Sequence, residues 1–184
     1  ADQRLLIHGV TWGQYTATRA LFDDHPGLRM TYMEGTLEIT SPSAEHERSK
    51  KIIARLIETY AVAKRIALNG YGSTTFKKQA AERGAEPDEC YVIGAPLGEV
   101  PDIAIEVVIT SGGVDKLGVY RGLSVPEVWF FHEGRFYVYS LQASGYEPRA
   151  RSAYLPELDL EHLATFVDRP DQTDAVIAYR DSLG

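Results

Sequence analysis

Glu86-Pro87-Asp88-Glu89-Cys90-Tyr91-Val92-Ile93, followed one loop later by Pro101-Asp102-Ile103-Ala104-Ile105-Glu106-Val107-Val108-Ile109, is the stretch that decides the fold. Both segments read as β-strands. The second is almost continuously apolar, the mark of a central strand covered on both faces. Each nevertheless carries carboxylates. Charged side chains are rarely buried unless paired or bound to a metal. An aspartate and a glutamate on neighbouring strands therefore point to a divalent-cation site and to metal-assisted hydrolysis.

Alternate residues of a strand share a face, so Asp102, Ala104, Glu106 and Val108 point one way. Asp102 and Glu106, four residues apart, are separated by roughly 13 Å at about 3.3 Å per residue. They are thus too distant to grip one ion directly. Glu106 must pair with a carboxylate from a strand about 4.8 Å away, and Asp88 is the natural partner. Two hard oxygen ligands plus water suit Mg²⁺ or Mn²⁺. Each acid also has a plainer reading. Asp88 can end a turn after Pro87, Asp102 can cap the start of its strand, and Glu106 can pair with a buried lysine or arginine.

Outward from this core the chain alternates helices and strands. Thr11 caps a helix expected from about Trp12 to Phe22. Met30–Met33 and Thr36–Thr40 flank Glu34-Gly35 as a hairpin. Ser43 caps the longest helix, expected over about residues 44–68, with Ile52, Ile53, Leu56, Ile57 and Tyr60 at helical spacing and Asn69-Gly70 as its stop. Further strands are expected at Thr74–Gln79, Val125–Phe131, Arg135–Leu141 and Gly145–Ala150. Helices are expected at Val114–Leu123, Leu160–Phe166 and Thr173–Ser182. With no repeat and no linker, the expectation is a single α/β domain over residues 1–184, a mixed β-sheet with helices packed on it.

Composition narrows the function classes. The 19 basic and 26 acidic residues leave a net charge of −7. That argues against coating nucleic acid broadly, yet allows a local basic groove. One cysteine, Cys90, excludes an intrachain disulfide framework and a thiolate zinc cluster, and it reads as a packing residue. No apolar run of about 18 residues marks a membrane span. Ala1-Asp2-Gln3-Arg4-Leu5-Leu6 lacks the apolar core of a secretory leader, so a cytoplasmic location is expected. His8, His25, His46, His132 and His162 form no zinc pair at i and i+4. Gly112-Gly113 lacks the lysine and hydroxyl of a phosphate loop, and no Gly-x-Ser-x-Gly elbow occurs. Lys50-Lys51 and Lys77-Lys78 can meet phosphates, though such short basic runs equally suit a solvated surface.

Glu86-Pro87-Asp88-Glu89-Cys90-Tyr91, Pro101–Val108, Lys116-Leu117-Gly118-Val119-Tyr120 and Val125-Pro126-Glu127-Val128-Trp129, in that order, resemble the motifs of the Uma-two family. These are restriction-endonuclease-like proteins of the PD-(D/E)XK superfamily. The likeness extends upstream through Glu34–Ser43 to His46, and downstream to Ser152 and Leu155-Pro156-Glu157-Leu158, covering about residues 10–165. It implies a restriction-endonuclease-like mixed sheet flanked by helices, and metal-dependent hydrolysis of DNA phosphodiester bonds. By that resemblance Asp88 matches the superfamily's aspartate and Glu106 its (D/E) position. The lysine two residues on is missing, because Val108 stands there.

Lys116 is the candidate for a displaced lysine, against the alternative of an exposed helix residue. Glu45 can add an acidic ligand from the long helix, or simply favour that helix's N-terminus. His46 and Glu38 can line the site, His46 otherwise being a structural histidine. Asp102 is a further supporting ligand. The expected assembly is a homodimer, since cutting both strands of a duplex calls for two sites. The alternative is a non-catalytic DNA-binding or protein-interaction module that keeps the fold without the lysine.

Overall fold

The computed structural model describes residues 1–184. In chain order the elements are β1 (Gln3–His8), α1 (Trp12–Leu21), β2 (Arg29–Met33), β3 (Thr36–Ser41), α2 (Ala44–Lys64), β4 (Leu68–Gly70), β5 (Phe76–Lys78), β6 (Arg83–Ala85), β7 (Glu89–Ile93), β8 (Ile103–Val108), α3 (Lys116–Leu123), β9 (Glu127–His132), β10 (Arg135–Gln142), β11 (Gly145–Arg149), α4 (Leu160–Ala164) and α5 (Gln172–Ser182). The strands form two sheets rather than one. A five-stranded sheet has the order β1-β3-β2-β6-β5, and a six-stranded one the order β11-β10-β9-β8-β7-β4.

The apolar run is central, as its sequence implies. β8 pairs antiparallel with β7 and parallel with β9, and the α3 connection makes the parallel crossover possible. The larger sheet is therefore mixed, with helices on both faces. Ile103, Ile105 and Val107 face α2, α4 and α5 in one core with Ile53, Leu56, Trp129 and Leu163. Ala104 faces the other way, toward Val119, Tyr120 and Leu123 of α3. The smaller sheet packs Met30, Tyr32 and Leu37 against Tyr15 of α1.

Local signals explain most element ends. Thr11 and Gln14 form a reciprocal capping box on α1. The Ser43 side chain accepts the His46 N–H at 3.2 Å to start α2. The far end of α2 differs from expectation. It stops at Lys64, because Arg65 turns left-handed at φ 56°, and Asn69-Gly70 lies within β4 paired to β7. The short β6 and the exposed β1 are strands the residue pattern does not announce.

The three residues Glu86-Pro87-Asp88 join the two sheets. They run from β6 of the smaller sheet directly into β7 of the larger. α3 lies against β2, β5 and β6 of the smaller sheet and β11 of the larger, wedged between the two.

Candidate functional site

Asp88 and Glu106 come together as the strand arithmetic requires. β7 and β8 pair Glu89 with Ile105, and continuing that antiparallel register by one sets Asp88 opposite Glu106. The Asp88 N–H donates to the Ile105 carbonyl at 3.1 Å, and the Val107 N–H donates to Asp88 Oδ2 at 2.7 Å. Both acids are buried, and both line one crevice with Glu38, His46, Glu86 and Lys116.

Each carboxylate has one oxygen engaged and one left over. Asp88 Oδ2 also meets His46 Nε2 at 3.1 Å. Glu106 Oε1 accepts the Tyr120 hydroxyl and lies 3.8 Å from Lys116 Nζ. Asp88 Oδ1 and Glu106 Oε2 take no donor from the protein, and neither is cut off from solvent. Burial pushes the Glu106 carboxyl up to about 7; Lys116 pulls it down, and the charge of Asp88 raises it further. Two acids that repel each other while presenting free oxygens suit a hard cation completed by water. They do not make a closed cage, for no three His, Cys, Asp or Glu side chains cluster closely enough to hold a metal alone.

Lys116 reaches the crevice from the first turn of α3. Its Nζ donates to Thr31 Oγ1 at 2.8 Å and sits 3.5 Å from Glu38 Oε1. Burial works against its charge, but Glu106, Glu38 and Asp88 outweigh that and raise its pKa above the ordinary lysine value. It is therefore an ammonium at neutral pH. Thr31 and Glu38 are directly paired across β2 and β3, so the smaller sheet presents both to the same amine.

Glu38 is nearly inaccessible and does more than meet Lys116. Its Oε2 accepts the Val114 N–H at 3.0 Å and lies 3.4 Å from Arg4 Nε. Arg4 in turn donates to the carbonyls of Thr110 and Ser111, each at 3.2 Å. The loop after β8 is thereby tied to the smaller sheet just before α3 begins. Gly113 in that loop has φ +94°, and a Cβ there would collide with the Glu38 carboxylate.

His46 projects from α2 onto the same site. Its Nε2 also lies 3.0 Å from the Val107 carbonyl oxygen. Burial disfavours the imidazolium, but the hydrogen bond and charge of Asp88 overcome that and raise its pKa. Its Nδ1 is buried without a hydrogen-bond partner.

Two expected contributors stand elsewhere. Glu45 is exposed and does not line the crevice, because neighbouring helix positions point about 100° apart and His46 takes the inward one. Asp102 sits at the opposite end of β8, where its Oδ2 accepts the Ile93 N–H at 2.8 Å, the capping role. Residue patterns alone missed Tyr120, Thr31, Arg4 and Glu86. Tyr120 was within reach of inference, four residues past Lys116 on one helical face. Thr31 and Arg4 come from the second sheet and carry no local signal. The Glu86 carboxylate is fully spent on the Met30 N–H at 2.6 Å, Thr75 Oγ1 at 3.0 Å and Arg19 Nη2 at 2.8 Å.

Comparison with known proteins adds three findings. A family model, Uma2, described as "Putative restriction endonuclease", matches residues 12–167. No curated protein matches the chain. Among solved structures, one described as a "putative nuclease belonging to DUF820" from Anabaena variabilis ATCC 29413 is 14% identical, with a TM-score of 0.46. That match covers 82% of this chain and 90% of the other.

Proposed function

This chain belongs to the Uma2 family, and we propose that it is a Mg²⁺- or Mn²⁺-dependent endonuclease that hydrolyses phosphodiester bonds in DNA. The observation that carries this reading is the juxtaposition, in one crevice, of the Asp88–Glu106 pair with the Lys116 ammonium. Asp88 Oδ1 and Glu106 Oε2 would hold the cation. Bound there, it would polarise a phosphoryl oxygen and lower the pKa of an attacking water.

The remaining roles follow from the protein's own groups. Lys116, kept protonated by three carboxylates, is no general base; it offsets negative charge growing on the phosphate and orients its oxygens. Thr31 and Glu38 hold that amine in place. His46 fixes Asp88 and leaves its second oxygen free. Lys116 thus supplies from a helix the charge that the superfamily pattern places on the strand at Val108. A duplex cut on both strands needs two such sites, hence a homodimer.

The test is supercoiled plasmid incubated with purified protein, with and without Mg²⁺ or Mn²⁺. Metal-dependent nicking is expected, and Glu106→Gln is expected to reduce it at least 100-fold, the loss typical of an essential electrostatic group. Equal nicking by parent and variant would remove the proposal. Silence from both, with DNA still bound, would favour the non-catalytic module.

A further inference from the structure

Sheet edges expose unpaired backbone N–H and C=O groups, and natural proteins blunt them with short strands, lysine, proline or charge. Three of the four edges here are blunted in that manner. β4 has three residues. β5 has three, two of them the exposed Lys77 and Lys78. β11 carries Glu147, Pro148 and Arg149. β1 is the exception. It runs unbroken for six residues against β3, with no bulge, no proline and no lysine. At its centre Leu5, Leu6 and Ile7 remain 55%, 41% and 39% exposed.

From this we infer that β1 is the interface for a second copy of this chain, pairing antiparallel with its own counterpart to join the two small sheets into one of ten strands. The inference goes beyond the proposed reaction and does not depend on it. The strand is self-complementary. With Leu6 opposite Leu6 of the partner subunit, Leu5 and Ile7 each face the other's apolar counterpart. Leu5 and Ile7 extend the face already occupied by Ile39 and Leu37, with which they are in register. Charge does not oppose the pairing. The one basic residue beside the aliphatic triplet, Arg4, is drawn inward to Glu38 and the Thr110 and Ser111 carbonyls. An uncharged strip is also where two copies carrying −7 each can meet with least repulsion.

The symmetry has a consequence for the site. A two-fold axis along the normal of a continuous sheet leaves both copies showing the same face on the same side. Asp2 and Arg4 border the crevice, so both crevices open toward one side of the assembly.

One six-residue edge offers a limited contact, so a weak, concentration-dependent association is expected. Sedimentation or light scattering from about 5 to 200 μM should therefore show the parent moving from 20.4 kDa to twice that mass. Leu6→Lys should remain a monomer throughout, with unchanged circular dichroism and thermal midpoint, because Leu6 is not a core residue. Leu6→Cys should cross-link to its symmetry mate under mild oxidation, since directly opposed residues fall within disulfide reach. Leu5→Cys should not, and Cys90 is buried and cannot compete. A parent monomeric at 200 μM would overturn the inference, leaving the edge to a different partner. So would a dimer that survives Leu6→Lys, or one in which Leu6→Cys fails to cross-link.

Discussion

Glu106 concentrates the chemistry of the site in a single titration. Its folded-state pKa is raised, so the folded chain holds the proton more tightly than the unfolded one. The associated stability is present below about 4.5 and is lost as pH rises through about 7. Above that, without metal, the protein carries a buried anion beside Asp88. Glu106→Gln removes the anion and is expected to be more stable than the parent at pH 8 in chelator, by on the order of 1–3 kcal/mol. The gap should close at pH 5. Urea melts at the two pH values check this, and a gap indifferent to pH would show that Glu106 ionises freely. The displaced amine allows a second test. Lys116→Ala should lower kcat at least 100-fold, and Val108→Lys in that background should restore part of it, because Val108 lines the same crevice. No recovery in the double variant would mean that the helix position does more than supply charge. At this scale the sequence was legible wherever one strand or helix fixed the geometry. Asp88 faces Glu106 because the two strands are adjacent, and Lys116 reaches them from the following helix. Glu45 and Asp102 stand outside the crevice for different reasons: Glu45 points away from its inward neighbour His46, and Asp102 lies at the far end of β8 from Glu106. The buried stripe His46, Ser49, Ile53, Leu56 and Tyr60 already favours His46 over Glu45.

The element that positions the site is α3. It brings Lys116 and Tyr120 to Glu106 from the larger sheet's crossover, while also packing on β2, β5 and β6 of the smaller sheet. Close backbone approach makes the smaller sheet intolerant of bulk. A Cβ at Gly84 of β6 would run into the hydroxyl of Tyr15, which projects from α1 and is buried without a hydrogen-bond partner. Gly84→Ala is therefore expected to cost about 1–3 kcal/mol, as overpacking does, seen as a lower urea midpoint with unchanged slope. A neutral result would mean that α1 shifts freely over its sheet. Elements of this kind are where residue patterns gave out. β6 has three residues, Arg83-Gly84-Ala85, too few to show a period. β1 places apolar side chains on both faces and in solvent, so alternation never appears. The long, periodic α2 and the apolar β8 were plain, because burial imposes their repeat.

At the scale of the molecule, two sheets are held together by contacts that cross between them. Lys116 meets both Glu38 of the smaller sheet and Glu106 of the larger, and Arg4 of the smaller sheet bonds to the loop after β8. These are mostly buried charges, each leaving a costly unpaired partner if separated. The sheets are accordingly expected to unfold together. Near-ultraviolet and far-ultraviolet circular dichroism should give one coincident transition in urea. Two separated transitions would mark the smaller sheet as an independent unit. This arrangement could not be read from residue order. An α/β composition and a mixed sheet were evident, but their division into two sheets depends on where β6 ends and β7 begins.

That boundary is the Glu86-Pro87-Asp88 splice, and its brevity gives it mechanical leverage. With only a proline between them, Glu86 is bolted to one ribbon layer and Asp88 to the other. Any tilt that spread the layers would drag the aspartate off its opposite number and draw the lysine away with Thr31 and Glu38. Cleavage chemistry in this architecture would then answer to the gap between layers, so a molecule prising them apart would silence the protein without entering the crevice.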